Sequence, residues 1–284
     1  MISYADAIAA AERRLHLAGV PEPRRDARLL LADLIGCDVA SVIAWPERRL
    51  SGDLAGAFDA RIGRRAAREP VSRILGRREF WSLPFLVGPD TLDPRPDSEV
   101  LVAALLEQIE DHQAPLRILD LGTGTGCLLL ALLSELPHAT GLGVDCSPGA
   151  VATAEENARR LGMEERAAFR LGNWDEGLEE VFDILVCNPP YIPDADVPEL
   201  DPEVAAWEPR LALEGGADGL DPYRRILPRL ADLLSPSGVA GFEHGPGQSS
   251  AIEALLDPDG GWRRRRVEDL GGRDRALIIY SEEA

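Results

Sequence analysis

The chain has 284 residues, 45% apolar and 28% charged, which suits a globular protein of one large domain and a smaller one. All 30 basic residues are arginine and the net charge is −19, so a broad basic face for nucleic acid is excluded. No stretch approaches the roughly 20 apolar residues of a membrane span, and the N-terminus lacks a basic-then-apolar signal layout, so a cytoplasmic protein without membrane contact is predicted.

The first 70 residues read as short helices. Ser3 and Asp6 form a capping-box-like start, and Gly19 with Pro21 closes that segment. A second helix runs from about Arg24 to Ile35, apolar at Leu29, Leu30, Leu34 and Ile35, with Gly36 as its stop. A third follows Ser51, carries Leu54, Phe58 and Ile62 at i, i+4 and i+8, and ends before Pro70. Its Arg61, Arg64, Arg65 and Arg68 read as a solvated face rather than a docking surface. Residues 1–80 hold 14 Arg against 11 acids, so the acidic excess lies wholly in the remainder. We read that excess as serving solubility, with attraction of a basic protein partner as the alternative.

Between residues 72 and 90 the period changes. Phe80, Trp81, Leu83, Phe85 and Val87 predict a hairpin linking two domains, and Pro84, Pro89, Pro94 and Pro96 punctuate an extended passage to a helix near 97–110. The predicted division is a helical docking domain at 1–70, a hairpin at 71–90 and a catalytic domain at 91–284. From Arg117 strands alternate with helices. Strands are expected at 117–121, 140–145, 166–171, 182–187, 238–243, 262–268 and 275–280, with helices at about 126–136, 148–161, 220–234 and 247–256. That alternation predicts an α/β protein with a doubly wound, largely parallel sheet and ligand at the strand C-termini. Arg263–Arg266 read as a charged edge strand rather than an RNA contact.

Ile118-Leu119-Asp120-Leu121 runs into Gly122-Thr123-Gly124-Thr125-Gly126 and then a helix. Glycine there admits positive φ and lets a ligand approach the backbone. The spacing is not the G-x-G-x-x-G fingerprint, since position 127 is Cys. Asp145 follows at the next strand end, 19 residues after Gly126, where a carboxylate commonly accepts from ribose hydroxyls. Turn and acid together indicate an adenosine-containing cofactor without naming it. The third strand ends at Asn173 and Trp174, which can meet the edge and the face of adenine; taken alone, Trp174 reads as packing.

The fourth strand delivers Asn188-Pro189-Pro190-Tyr191. Two prolines remove two backbone donors, leaving carbonyls as acceptors. Asn188 adds a side-chain carbonyl and Tyr191 is expected as an aromatic lid. This set suits an –NH2 group on a planar system, and holding both N–H groups orients a poorly nucleophilic nitrogen for in-line methyl transfer. Cys37, Cys127, Cys146 and Cys187 make no C-x-x-C pair and the four histidines are scattered, so neither a metal site nor a disulfide framework is predicted. The three cysteines beside the motifs read as buried filler.

The glycine turn, Asp145 and the Asn188–Tyr191 run resemble class I S-adenosylmethionine methyltransferases of the Asn-Pro-Pro-Tyr branch. Within that branch the chain resembles the peptide chain release factor N5-glutamine methyltransferases (HemK/PrmC type) over nearly its whole length. The resemblance includes Glu69-Pro70, Gly76 through Glu79-Phe80-Trp81-Ser82-Leu83-Pro84, and Pro94-Arg95-Pro96-Asp97-Ser98-Glu99. It continues at Glu208-Pro209, Leu211, Gly216, Asp218-Gly219 and Glu243-His244-Gly245.

The resemblance implies a seven-stranded Rossmann-like methyltransferase domain with an N-terminal helical bundle and a linking β-hairpin. It implies methylation of the glutamine in the Gly-Gly-Gln motif of class I release factors, with those factors as protein substrate, no direct nucleic-acid contact and a monomeric chain. S-adenosyl-L-methionine would be the cofactor and S-adenosyl-L-homocysteine its product. Gly122, Thr123, Gly124, Thr125, Gly126, Asp145, Asn173, Trp174 and Asn188 would hold that cofactor. Asn188, Pro189, Pro190 and Tyr191 would hold the acceptor, with Asn188, Pro189 and Tyr191 catalytic, and Arg95 and Glu99 would shape the pocket. Two positions depart from the family pattern: Asp93 stands for an apolar residue and Asn173 for an acid. The alternatives are a ribosomal-protein glutamine methyltransferase, a DNA or rRNA amino-group methyltransferase, a non-catalytic cofactor-binding adaptor and a nicotinamide oxidoreductase.

Overall fold

A computed structural model describes residues 1–257, 260–269 and 271–281. In chain order the elements are α1 (Tyr4–Leu17), α2 (Pro23–Ile35), α3 (Val39–Ala44), α4 (Gly52–Ala66), α5 (Val71–Leu75), β1 (Arg77–Phe80), β2 (Leu83–Leu86), α6 (Glu99–Leu106), β3 (Arg117–Leu121), α7 (Cys127–Glu135) and β4 (Thr140–Asp145). They continue with α8 (Pro148–Arg160), β5 (Ala167–Leu171), β6 (Phe182–Cys187), α9 (Pro202–Ala205), α10 (Asp221–Ile226), α11 (Leu230–Leu233), β7 (Leu234–Glu243), α12 (Ser249–Glu253), β8 (Trp262–Glu268) and β9 (Asp274–Ser281). Two compact units result: Met1–Arg77 with Asp201–Trp207, and Arg78–Leu200 with Glu208–Ala284.

The helical unit follows its capping signals. The Ser3 side chain accepts from Asp6 N at 3.1 Å and that of Ser51 from Leu54 N at 3.3 Å, while Gly36 closes α2 in the left-handed region. Leu15, Leu30, Leu31, Val42, Leu50, Phe58, Ile62 and Ile74 form the core. Two helices go beyond the sequence reading. Asp38 caps α3 by accepting from Ser41 N at 2.6 Å, and α5 occupies the start of the stretch read as hairpin because Ile74 packs into this core.

Of the four arginines expected to form a solvated face, only Arg64 is exposed. Arg65 is only 5% exposed and bonds Asp26 at 2.7 Å and Glu203 at 2.9 Å. Arg61 bonds Asp33 at 2.7 Å, Arg64 bonds Glu69 at 2.7 Å, and Arg68 bonds Glu203 at 2.7 Å. Arg65 lies three residues beyond Ile62, so it continues the apolar stripe instead of opposing it.

In the larger unit, β1 and β2 form a two-stranded sheet whose turn residues Trp81 and Ser82 have φ of 52° and 59°. Positive φ at both positions matches a two-residue hairpin turn of the type that follows strand twist. The seven-stranded sheet has the order β5-β4-β3-β6-β7-β9-β8, parallel except where β9 runs antiparallel to β7 and β8. Alternate residues feed two cores. Ile118, Ile184, Val186 and Ile278 meet α6 and α7 on one face, and Leu119, Leu185, Cys187 and Ile279 meet α10 and α11 on the other. The helix expected at 220–234 is split, since Pro228 lacks a backbone donor and Leu227–Arg229 form a 3₁₀ turn between α10 and α11. The helix expected at 97–110 is shorter, Glu99–Leu106, behind a 3₁₀ turn at Pro96–Ser98. β8 is the sheet edge, where Arg265 pairs with Glu107 at 3.0 Å and Arg266 with Glu253 at 2.7 Å. Among the described residues no helix is long and apolar enough to cross a membrane.

Arg65→Ala would leave Asp26 with uncompensated charge and Glu203 with Arg68 as its remaining partner. We expect it to cost about 3 kcal/mol of stability, read as a lower urea midpoint for loss of helical signal.

Candidate active site

Strand register assembles the site. Leu121 pairs with Val144 on one side and Cys187 on the other, so Gly122, Asp145 and Asn188 emerge at neighbouring C-terminal strand ends. The strand order reverses between β3 and β6, which opens a crevice there. A cavity of about 460 Å³ occupies that end of the sheet. Gly122, Thr123, Gly124, Thr125, Asp145, Asn173, Trp174, Asn188, Pro190 and Arg95 all line it.

The glycines do different things. Gly122 has φ +74°, and a Cβ there would lie 3.3 Å from the Trp174 ring, so Trp174 packs on the turn while it walls the cavity. Gly124, at φ +54°, would point a Cβ into open space, so its conformation is what requires glycine. A Cβ on Gly126 would meet Leu130 and Ala154 at 3.3 Å, placing this glycine in helix–sheet packing instead of at the cavity.

Asp145 closes the turn. Its two oxygens accept from Gly124 N and Ser147 N, each at 2.9 Å. A carboxylate oxygen takes two donors, so each retains a place for a ligand hydroxyl. Burial raises the Asp145 pKa against these hydrogen bonds. Asp120, which the sequence reading passed over, lies beneath the turn at 1% exposure. Thr123 Oγ1 donates to its Oδ2 at 2.6 Å, and desolvation nonetheless pushes it up to about 7. An acid inside a buried strand that runs into a glycine turn was the available signal.

Asn173 is oriented by its neighbours. Its Nδ2 donates to Glu176 Oε1 at 3.0 Å, and Arg225 holds the same oxygen at 3.1 Å. The Asn173 carbonyl is thereby left as an acceptor, the capacity an acid would supply at this position.

The Asn188–Tyr191 run is braced from behind. Gln248 Nε2 donates to Tyr191 O at 2.9 Å, and Cys187 Sγ to Leu121 O at 3.0 Å. A Cβ on Gly215 would lie 2.7 Å from Pro190 O, and one on Gly219 2.2 Å from Tyr191 O, so both must be glycine for this loop to pack. Asn188 Nδ2 donates to Ser98 Oγ at 3.3 Å.

Two expected placements change. Tyr191 is no lid: its hydroxyl donates inward to Glu243 Oε1 at 3.4 Å, and burial raises its pKa to about 12. Pro189 is buried. Glu99 accepts from Trp81 N at 2.8 Å, which supports the strained hairpin turn rather than the cavity. Arg95 does line the cavity, bonded to Glu208 at 2.8 Å. Glu208 also accepts from the backbone of buried Asp93 at 3.3 Å, giving Asp93 a place beside a polar group. Among the cysteines Cys187 is buried, but Cys146 is exposed and lines the cavity because it follows the last residue of β4. No cluster able to hold a metal is found among the described residues.

Residues 6–76 match the family model of the PrmC N-terminal domain, and residues 112–207 that of a methyltransferase domain. The release factor glutamine methyltransferase of Rhodospirillum rubrum is 50% identical over 271 residues, 95% of this chain and 83% of that protein. That of Caulobacter vibrioides is 44% identical over 270 residues, 95% and 93% respectively. A methyltransferase from Pyrococcus furiosus shares the fold with a TM-score of 0.52 at 16% identity, covering 79% of this chain and 98% of that one.

The folded Asp120 value of about 7 lies above its ordinary 3.8, so its stabilising contribution is complete below 3.8 and lost as pH rises through about 7. Asp120→Asn should therefore raise the melting temperature at pH 8. The gain should shrink toward pH 4 in thermal melts of the two proteins.

Proposed function

The chain belongs to the release factor glutamine methyltransferase family, and from that premise we propose that it methylates the side-chain amide nitrogen of the glutamine in the Gly-Gly-Gln motif of class I release factors, with S-adenosylmethionine as methyl donor. The observation that carries this reading is the adjacency of the Gly122–Gly126 turn and Asn188 at neighbouring ends of β3 and β6, in one cavity.

The residues fit that donor. Asp145 retains acceptor capacity for a ribose diol, the Asn173 carbonyl for an exocyclic amine, and Trp174 offers an aromatic wall. The acidic ground beneath the turn favours a cationic ligand, because a nearby positive charge stabilises ionised Asp120. When bound, S-adenosylmethionine supplies an electrophilic methyl group on its sulfonium.

This chain's own residues orient the acceptor. The Asn188 side-chain carbonyl and the Pro189 carbonyl each accept one N–H of the glutamine amide. That grip turns the nitrogen toward the methyl group and stabilises positive charge developing on it. Pro189 and Pro190 contribute no backbone N–H that would repel those donors. The Arg95–Glu208 pair shapes the cavity rim, and the helical unit docks the protein substrate.

The test is labelling of a purified release factor with methyl-labelled S-adenosylmethionine, beside a version whose motif glutamine is replaced. Label on the first alone is expected; equal label on both would overturn the reading. Asn188→Ala should lower kcat by about 100-fold or more while cofactor affinity changes little. Asp145→Ala should weaken S-adenosylmethionine binding roughly 10-fold in titration calorimetry.

A further inference from the structure

The Asn188–Tyr191 loop is tied to the segment between β7 and α12 by Gln248. This residue directly precedes α12, and its carbonyl accepts from Ala251 N at 2.9 Å and Ile252 N at 3.0 Å. Ile252 is fully buried in the core on that face of the sheet, so the root of the Gln248 side chain is anchored. The carboxamide joins two backbone groups: Gly245 N donates to Oε1 at 2.8 Å, and Nε2 donates to Tyr191 O at 2.9 Å. A backbone N–H only donates and a carbonyl only accepts, so these partners leave the amide a single orientation. The turn is itself held, because Gly245 O accepts from Gln248 N at 3.2 Å and from His244 Nδ1 at 2.9 Å. Space around the amide is tight. A Cβ on Gly219 would lie 2.7 Å from Gln248 Nε2, and one on Gly245 would lie 3.0 Å from Oε1 and 3.2 Å from Tyr191 Cδ2.

Among the described residues, Gln248 supplies the one side-chain hydrogen bond to the backbone of residues 188–192. Backbone bonds fix the next residue, with Ile192 N donating to Leu213 O at 3.1 Å and Gly215 N to Ile192 O at 2.8 Å. Pro189 and Pro190 have their φ angles locked, so a shift of the Tyr191 carbonyl is carried back along the run to Asn188. Gln248 does not line the cavity. We propose that Gln248 is a positioning residue for methyl transfer, clasping Tyr191 O so that Asn188 and Pro189 are held where they meet the acceptor amide. This role rests on the reading of those two residues as the grip on that amide. A displacement of about 1 Å in such a grip costs roughly 100-fold in rate.

Two variants of the full chain test the clasp, with release factor as acceptor. Gln248→Met keeps the length of the side chain and loses both hydrogen bonds; kcat should fall on the order of 10- to 100-fold while S-adenosylmethionine affinity in calorimetry stays unchanged. Gln248→Glu keeps the shape. Ionised, it can only accept and opposes Tyr191 O; protonated, it donates to Tyr191 O and accepts from Gly245 N as the amide does. The activity of Gln248→Glu relative to wild type should therefore rise as pH falls from 9 to 5.5, a recovery within one polypeptide that a folding defect does not produce. Wild-type kcat in Gln248→Met, an equal loss of cofactor affinity, or a pH-independent ratio for Gln248→Glu would each overturn the proposal. The chain has three glutamines, Gln108, Gln113 and Gln248, so ¹⁵N-glutamine labelling yields three carboxamide signals, and the one lost in Gln248→Met is assigned. Its protons should exchange with water more slowly than those of exposed Gln113; equal exchange would overturn the clasp. Were the wild type to leave release factor unlabelled while the Gln248 signal stayed protected, the substrate assignment would fail and the clasp on Tyr191 would stand.

Discussion

The parallel hydrogen-bonded ladder between β3 and β6 is the constraint on which the site depends. Because Leu121 is level with Cys187, the turn and the acceptor motif leave the sheet at the same height. A parallel pair cannot slip by one residue without sending Leu119 and Leu185 to the opposite core, so the two apolar clusters hold this register. Reversal of strand order at the same pair keeps the crevice open, since the connections from the two strands leave toward opposite edges.

Buried charge is concentrated at that crevice. Asp120 and Glu243 lie at or next to the ends of β3 and β7, which flank β6, and each has one carboxyl oxygen without a partner among the described residues. Such groups are costly in a folded chain, and desolvation is the largest influence on both. The proposed pairing of a cationic donor with an amide acceptor would give that cost a use. Arg65 in the helical unit is the contrasting case: also buried, it is matched by Asp26 and Glu203 and serves the unit's own packing.

The two asparagines of the cavity share one physical problem. A neutral amide can present either its carbonyl or its NH2, whereas an acid has no such ambiguity. Asn173 is turned by Glu176, which Arg225 holds, and Asn188 by Ser98. The residue at position 173 therefore retains an acceptor facing outward although it is not an acid.

Much of the α/β pattern was legible in the sequence, because strands β3, β4 and β6 are short runs followed or ended by glycine, aspartate or asparagine. The glycine turn, Asp145 and Asn188 were legible for the same reason: each directly follows or ends a strand, and their chemistry is local. What the sequence could not provide was any partner far along the chain. Glu203 lies 138 residues from Arg65, so a face that reads as solvated is in fact paired. Tyr191 reads as a lid until β7 brings Glu243 beneath it, and Glu99 reads as a pocket residue until the Trp81 turn claims its carboxylate. Sequence alone determined which residues stand at the strand ends and in the glycine turn, since strand ends and turns are written locally. Only the tertiary structure decided which way those residues point, because direction is set by hydrogen-bond partners that neighbouring strands and distant loops supply.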